Sequence, residues 1–194
     1  MKAIDLFAGC GGMSLGFEQA GFDVIAAYDN WDAAIKIYES NFSHPIYKRD
    51  LADDSVAQQI VKMCPDLIMG GPPCQDYSIA GKRELGKRAN LTIRFGEIVA
   101  EAKPMWVVFE NVYNIERFST VAQLKHILST AGYGLTSRVL DASRCGVPQK
   151  RHRFFLIGKL GETDGFLDDA LVSNLSTRQM SVRDYLGDAL DTEF

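Results

Sequence analysis

A cysteine stands at position 74 in the run Gly70-Gly71-Pro72-Pro73-Cys74-Gln75-Asp76-Tyr77-Ser78, directly after a short apolar stretch. Glycine permits an unusual backbone path and proline enforces one. A thiol on such a turn is partly exposed and rigidly held, which suits a nucleophile; the plain alternative is a small buried hydrophobe. That alternative is the expectation for Cys64 and Cys145, and Cys10 would fill a small space in a glycine turn. No two of the four cysteines form a C-x-x-C pair and the three histidines are scattered, so no metal site is expected. Disulfides are not expected in a cytosolic chain of this size.

Two further groups of residues could do chemistry. Phe7-Ala8-Gly9-Cys10-Gly11-Gly12 follows an apolar run and precedes a helical pattern. Glycines there let a ligand approach the backbone, and a helix N-terminus favours negative charge. A nicotinamide fingerprint would want Gly or Ala at position 14, where this chain has Ser14. Asp29, about twenty residues further on, can accept hydrogen bonds from ribose hydroxyls. A tight turn with a helix cap and no ligand is the competing reading. Glu110 follows the apolar run Met105 to Phe109, at what would be the ligand edge of a sheet or simply the solvated end of a strand.

The elements that must position these groups alternate. Ala3–Phe7, Val24–Tyr28, Ile46–Lys48, Leu67–Met69, Met105–Phe109, Leu135–Leu140 and Arg153–Ile157 read as strands. Helical patterns cover Met13–Ala20 (stopped by Gly21), Trp31 to about Asn41 (capped by Asn30), and a stretch from Asp53 or Asp54 with Val56, Ile60, Val61 and Met63 on its apolar face. Others cover Leu91–Ala102, Thr120–Ala131 and a short turn near Val182–Leu186. Residues 75–90, polar and rich in Lys, Arg and Gly, read as a mobile loop. Alternation of this kind predicts an α/β fold with a mostly parallel sheet and helices on both faces. Its ligand site would lie beyond the carboxyl ends of the strands, where all the segments above converge.

The 194 residues suit one domain, 1–194, with 46% hydrophobic and 24% charged residues. No apolar stretch is long enough for a membrane span and none resembles a signal peptide, so a cytoplasmic or nucleoid-associated protein with no membrane partner is the expectation. A net charge of −4 argues against a broad nucleic-acid-gripping face on this chain, though not against a local basic channel.

Asp5-Leu6-Phe7-Ala8-Gly9-Cys10-Gly11-Gly12 and Pro73-Cys74-Gln75 resemble the first and fourth motifs of the cytosine-C5 DNA methyltransferase family. Glu110-Asn111-Val112 is similar to its sixth motif, and Gln149-Lys150-Arg151-His152-Arg153 to the Q-x-R-x-R of its eighth. The four occur in family order across nearly the whole chain. The resemblance implies a Rossmann-like S-adenosylmethionine-dependent methyltransferase fold, with S-adenosylhomocysteine as product and no metal. It implies Cys74 as the nucleophile at cytosine C6 and Glu110 as the contact to N3 and the 4-amino group. Arg151 and Arg153 would hold the base O2, the thiol loop or a phosphate. The donor pocket would comprise Phe7, Gly9, Cys10, Gly11, Gly12, Asp29, Asn30, Asp50, Leu51, Pro72 and Leu91, with Asp29 on the ribose and Asp50 at the adenine amino group. The substrate would be double-stranded DNA with the cytosine flipped out of the stack.

Relatives in this family continue into a target-recognition domain and two last motifs. No R-x-L-T or G-N-S-V segment occurs here, and Ser181 to Leu186 is similar to the stretch before the recognition domain. The expectation is a split-enzyme subunit served by a second polypeptide, a fragment of a longer enzyme, or a non-catalytic donor-binding or regulatory relative. Methylation of cytosine in tRNA is a rival activity; the Cys-Phe-Thr segment that marks it is absent.

Overall fold

β1 (Lys2–Leu6) is buried on both faces from Ala3 onward, as a strand covered on both sides must be. The computed structural model places it in the interior of a seven-stranded sheet in the order β3-β2-β1-β4-β5-β7-β6. It describes the backbone of residues 1–73 and 85–187, and the side chains of all of these except 85–90. β2 (Asp23–Asp29), β3 (Ile46–Lys48), β4 (Leu67–Gly70) and β5 (Trp106–Val112) run parallel with β1. β7 (His152–Leu160) is inserted antiparallel between β5 and β6 (Tyr133–Asp141). The expected fold class holds. Chain order reverses at β1, between β2 on one side and β4 on the other, which opens a crevice above their carboxyl ends.

Successive residues of a strand face opposite ways, and the core divides accordingly. Ile4, Leu6, Ala26, Tyr28 and Ile68 pack on α3 (Asp54–Met63), α4 (Leu85–Ala102) and α5 (Ser119–Thr130), through Val56, Ile60, Phe95, Leu124 and Leu128. Ala3, Val24, Leu67 and Met69 face the other way, toward Met13 and Phe17 of α1 (Gly12–Gln19). Tyr38 of α2 (Asp32–Asn41) joins Ala8 and Ala27 in a smaller cluster on that side. Each fully buried Leu, Ile or Phe contributes about 1.5–3 kcal/mol to this arrangement.

Several helix ends match expectation. Gly21, at φ 86, receives the end of α1 and donates its N–H to Glu18 O, and Gly132, at φ 99, closes α5. The Asp53 carboxylate caps α3 through the Ser55 N–H. Other expectations are corrected. Asn30 does not cap α2; Trp31 holds the cap position and the Asp29 carboxylate accepts the Asn30 and Trp31 N–H groups. The helix expected from Leu91 begins at Leu85, because Leu, Lys, Arg and Ala sustain a helix whether or not one face is apolar. β5 runs to Val112 rather than Phe109, carried over its polar end by pairing with β7. α6 (Asp168–Ser173) was not expected, its six residues being too few for a legible period. α7 spans Val182–Leu186, as expected. Cys10, Cys64 and Cys145 are exposed rather than buried: they sit in turns, Cys64 itself in the left-handed region at the end of α3. Cys74 and residues 75–84 of the expected loop lie outside the described residues. No described helix is long and apolar enough to cross a membrane.

Candidate active site

Phe7 ends β1 in the left-handed region at φ 61, which bulky residues rarely adopt. Such a conformation persists only where the surroundings over-determine it, and such positions gather at functional sites. It turns the chain into Ala8-Gly9-Cys10-Gly11. The glycines then divide by role. A Cβ on Gly11, at φ 92, would run into the Phe42 ring, so packing requires that glycine. Gly9, at φ 55, and Gly12 have open space where a Cβ would go. That space lies over the N-terminus of α1, whose first amides have no side-chain cap. A cradle left open in this way accepts an anionic or polar group.

Asp29 is the organiser of this corner. Its Oδ2 accepts the Gly9 N–H at 2.8 Å, and its Oδ1 accepts the N–H groups of Asn30 and Trp31, each at 2.8 Å. A carboxylate offers about four acceptor positions. Three are taken by backbone, and capacity remains on Oδ2 for a ligand hydroxyl. Asn30 is exposed beside it. Trp31 is 65% exposed at the same strand end, a flat apolar surface that the sequence reading missed. A large aromatic two residues after a strand-ending carboxylate could have flagged it.

Asp50 follows β3 and is exposed, with Oδ1 accepting the Ala52 N–H. Leu51 is buried in the core, so only its backbone can face a ligand. Arg94 of α4 holds that backbone. Its Nε donates to Leu51 O at 3.1 Å, and its guanidinium pairs with Asp54 at 3.0 Å and Glu97 at 3.2 Å. The contact between Arg94 and Leu51 spans 43 residues, so nothing local in the sequence announces it. Leu91, on the same helix, is half-buried.

The second half of the site gathers at the β5–β7 edge. Glu110 lies opposite Phe155 and Val112 opposite Arg153, which puts Glu110 and Arg153 diagonally on one face. Arg153 Nε meets Glu110 Oε1 at 3.1 Å, with both side chains about one-quarter exposed. Burial raises the Glu110 pKa, and the Arg153 and Arg151 charges oppose that rise. Arg151 is exposed just before β7, its N–H donated to Asp141 Oδ1 at 3.2 Å. Asn111, buried at 4% exposure, donates Nδ2–H to Pro72 O at 2.9 Å. A Cβ on Gly71 would stand 3.1 Å from Glu110 Oε2. The turn leading toward position 74 is thus anchored against Glu110 and Asn111. Cys74 itself lies outside the described residues.

The structure therefore brings Phe7, Gly9, Gly12, Asp29, Asn30, Pro72 and Glu110 to the carboxyl ends of the parallel strands of one sheet, with Arg153 against Glu110. Among the described residues no cluster of His, Cys, Asp and Glu could hold a metal ion.

Comparison with known proteins gives the family. The chain is 54% identical over its full length to the Type II methyltransferase M.HindV of Haemophilus influenzae and 50% identical to M.HgiDI of Herpetosiphon aurantiacus. It spans 64% and 63% of those relatives. Its fold matches that of a prophage-encoded E. coli protein assigned as a DNA modification methyltransferase, with a TM-score of 0.79 and 28% identity over 96% of this chain and 54% of that one. The family model for C-5 cytosine-specific DNA methylase matches residues 1–194, and the chain belongs to that family.

Proposed function

We propose that this chain is the catalytic part of an enzyme that transfers a methyl group from S-adenosylmethionine to C5 of cytosine in DNA. The observation that carries the reading is the Glu110–Arg153 pair, set beside the Asn111-anchored turn that leads into Cys74. The open space at Gly9 and Gly12, the spare acceptor of Asp29 and the exposed Trp31 fit the amino-acid, ribose and adenine parts of the donor. When bound, the donor supplies an electrophilic methyl group.

Cytosine C5 is a poor nucleophile while the ring is aromatic. Addition of the Cys74 thiolate to C6 makes C5 enamine-like. Glu110, with its proton affinity raised by burial, delivers a proton to N3 and takes up the charge that would otherwise build on the ring. Arg153 orients Glu110 and faces the base; Arg151 lies close enough to act on its charge and is free to meet a phosphate. C5 then takes the methyl group. Loss of the C5 proton, expulsion of the thiolate and return of the N3 proton to the Glu110 carboxylate restore the aromatic ring, and S-adenosylhomocysteine would be left as the demethylated donor. The target base must leave the duplex to reach the thiol.

Target recognition would come from outside these 194 residues, from a second polypeptide or a longer form of this chain. The net charge of −4 supports that division. The test is covalent trapping on DNA carrying 5-fluorocytosine, with S-adenosylmethionine, with and without the product of the adjacent reading frame. A stable adduct that disappears in Cys74→Ser supports the reading. Donor binding with no adduct under either condition would replace it with a regulatory binding module.

A further inference from the structure

We propose that Asp5, Ser14, Tyr38, His44 and Glu18 form a hydrogen-bonded relay carrying one mobile proton, and that His44 is thereby a positioning residue for the glycine turn. The proposal deepens the donor-site reading and rests on it for the identity of the ligand.

The chain of contacts is continuous. Ser14 Oγ lies 2.7 Å from Asp5 Oδ2 and 2.7 Å from Tyr38 Oη. Tyr38 Oη lies 2.5 Å from His44 Nε2, and His44 Nδ1 lies 3.1 Å from Glu18 Oε1. Asp5, Ser14 and Tyr38 are essentially buried, and His44 is 10% exposed. Ser14 is the one buried residue of α1, so it fastens that helix directly to β1. Tyr38 and Phe42 form the surface on which Gly11 packs. Any shift of the Tyr38 hydroxyl therefore bears on the glycine turn.

Each hydroxyl has one proton to donate, and that restricts the arrangements. With Asp5 ionised, Ser14 donates to Asp5, so Tyr38 donates to Ser14. His44 must then donate from Nε2 to Tyr38, and from Nδ1 to Glu18. With Asp5 protonated, the three bonds between Asp5 and His44 reverse: Asp5 donates to Ser14, Ser14 to Tyr38, and Tyr38 to His44 Nε2, while Nδ1–H still meets Glu18. Both arrangements hold the same number of protons. Remove one, and somewhere two lone pairs face each other in a buried site, which breaks a contact. The charged neighbours favour keeping it. Asp29 on β2 faces Asp5, and Glu18 on α1 faces both Tyr38 and His44; β4 offers only Met69 alongside Asp5. Burial pushes Asp5 up to about 7, and it also raises the Tyr38 phenol, so phenolate does not compete. The relay is intact while the proton is held and breaks as pH rises and the proton leaves.

The test follows the backbone amides of Gly11 and Gly12 by NMR from pH 6 to 9, alongside S-adenosylmethionine titrations by calorimetry. The wild-type chain should show one coupled transition in both amides, with donor affinity falling about tenfold across it. His44→Gln keeps an Nε2–H donor that does not titrate, so it should abolish the transition and retain affinity at pH 9. Tyr38→Phe should show the high-pH amide positions at every pH. Amides that do not titrate in the wild type, or a transition that persists in His44→Gln, would overturn the proposal. A coupled amide transition without donor binding at any pH would strike the donor reading and leave the relay standing.

Discussion

The two sides of the site are built on opposite principles. On the donor side, Asp5, Ser14 and Tyr38 are buried and hydrogen-bonded to one another, and Asp29 spends three acceptor positions on backbone. On the base side, Glu110, Arg151 and Arg153 remain partly or fully exposed and ionisable. The first region is stiff because unsatisfied buried polar groups are costly. In the proposed function, the second stays accessible so that cytosine can displace water and pair with it. Under the proposed function, the buried donor cradle lies beside an accessible, ionisable base edge.

Five substitutions would break or sharpen this contrast. Glu110→Gln should have the largest effect, cutting adduct formation about 10²–10⁴-fold while leaving donor affinity unchanged; quench-flow trapping on fluorocytosine DNA measures the first and calorimetry the second. Equal loss of both would erase the division. Arg153→Ala should reduce adduct formation about tenfold. Burial raises the Glu110 pKa and Arg153 opposes the rise, so removing the guanidinium raises it further. Activity carried by protonated Glu110 is present below that pKa and lost above it. The pH–rate profile of the variant should therefore lose activity at a higher pH than the wild type.

Asn111→Ala leaves the buried Pro72 carbonyl without its donor, and should cost about 1–3 kcal/mol in urea unfolding. Adduct formation should fall with it, because the turn before Cys74 loses its anchor. Gly12→Ala should have the smallest effect on stability, a gain of at most about 1 kcal/mol from helix propensity, since nothing blocks its Cβ. Its donor affinity should nonetheless drop several-fold. The same change at Gly11, where Phe42 stands in the way, should destabilise the fold instead. Thermal melts with and without S-adenosylmethionine separate the two glycines.

Much of this was legible in the residues. Apolar runs of period two or continuous burial marked all seven strands, and Gly21, Gly132 and Asp53 marked helix ends, because these signals act over a few residues. The four motifs named the family from side chains that the chemistry requires. The cysteines were misjudged because exposure is decided by turns rather than residue type. The start of α4 was missed because a polar sequence can be a loop or a solvated helix with equal local logic.

The amino-acid order alone marked the seven strands, most of the helices, the glycine turn and the candidate residues Cys74, Glu110, Arg151 and Arg153. Only the tertiary structure decided their partnerships. β7 inserts antiparallel beside β5 and so places Arg153 against Glu110, and Arg94 reaches back 43 residues to hold Leu51. His44 joins a chain that ends on β1. The reason is physical: periodicity and capping depend on neighbours in sequence, whereas a hydrogen bond or ion pair across the sheet depends on strand order and register, which emerge only when the whole core packs.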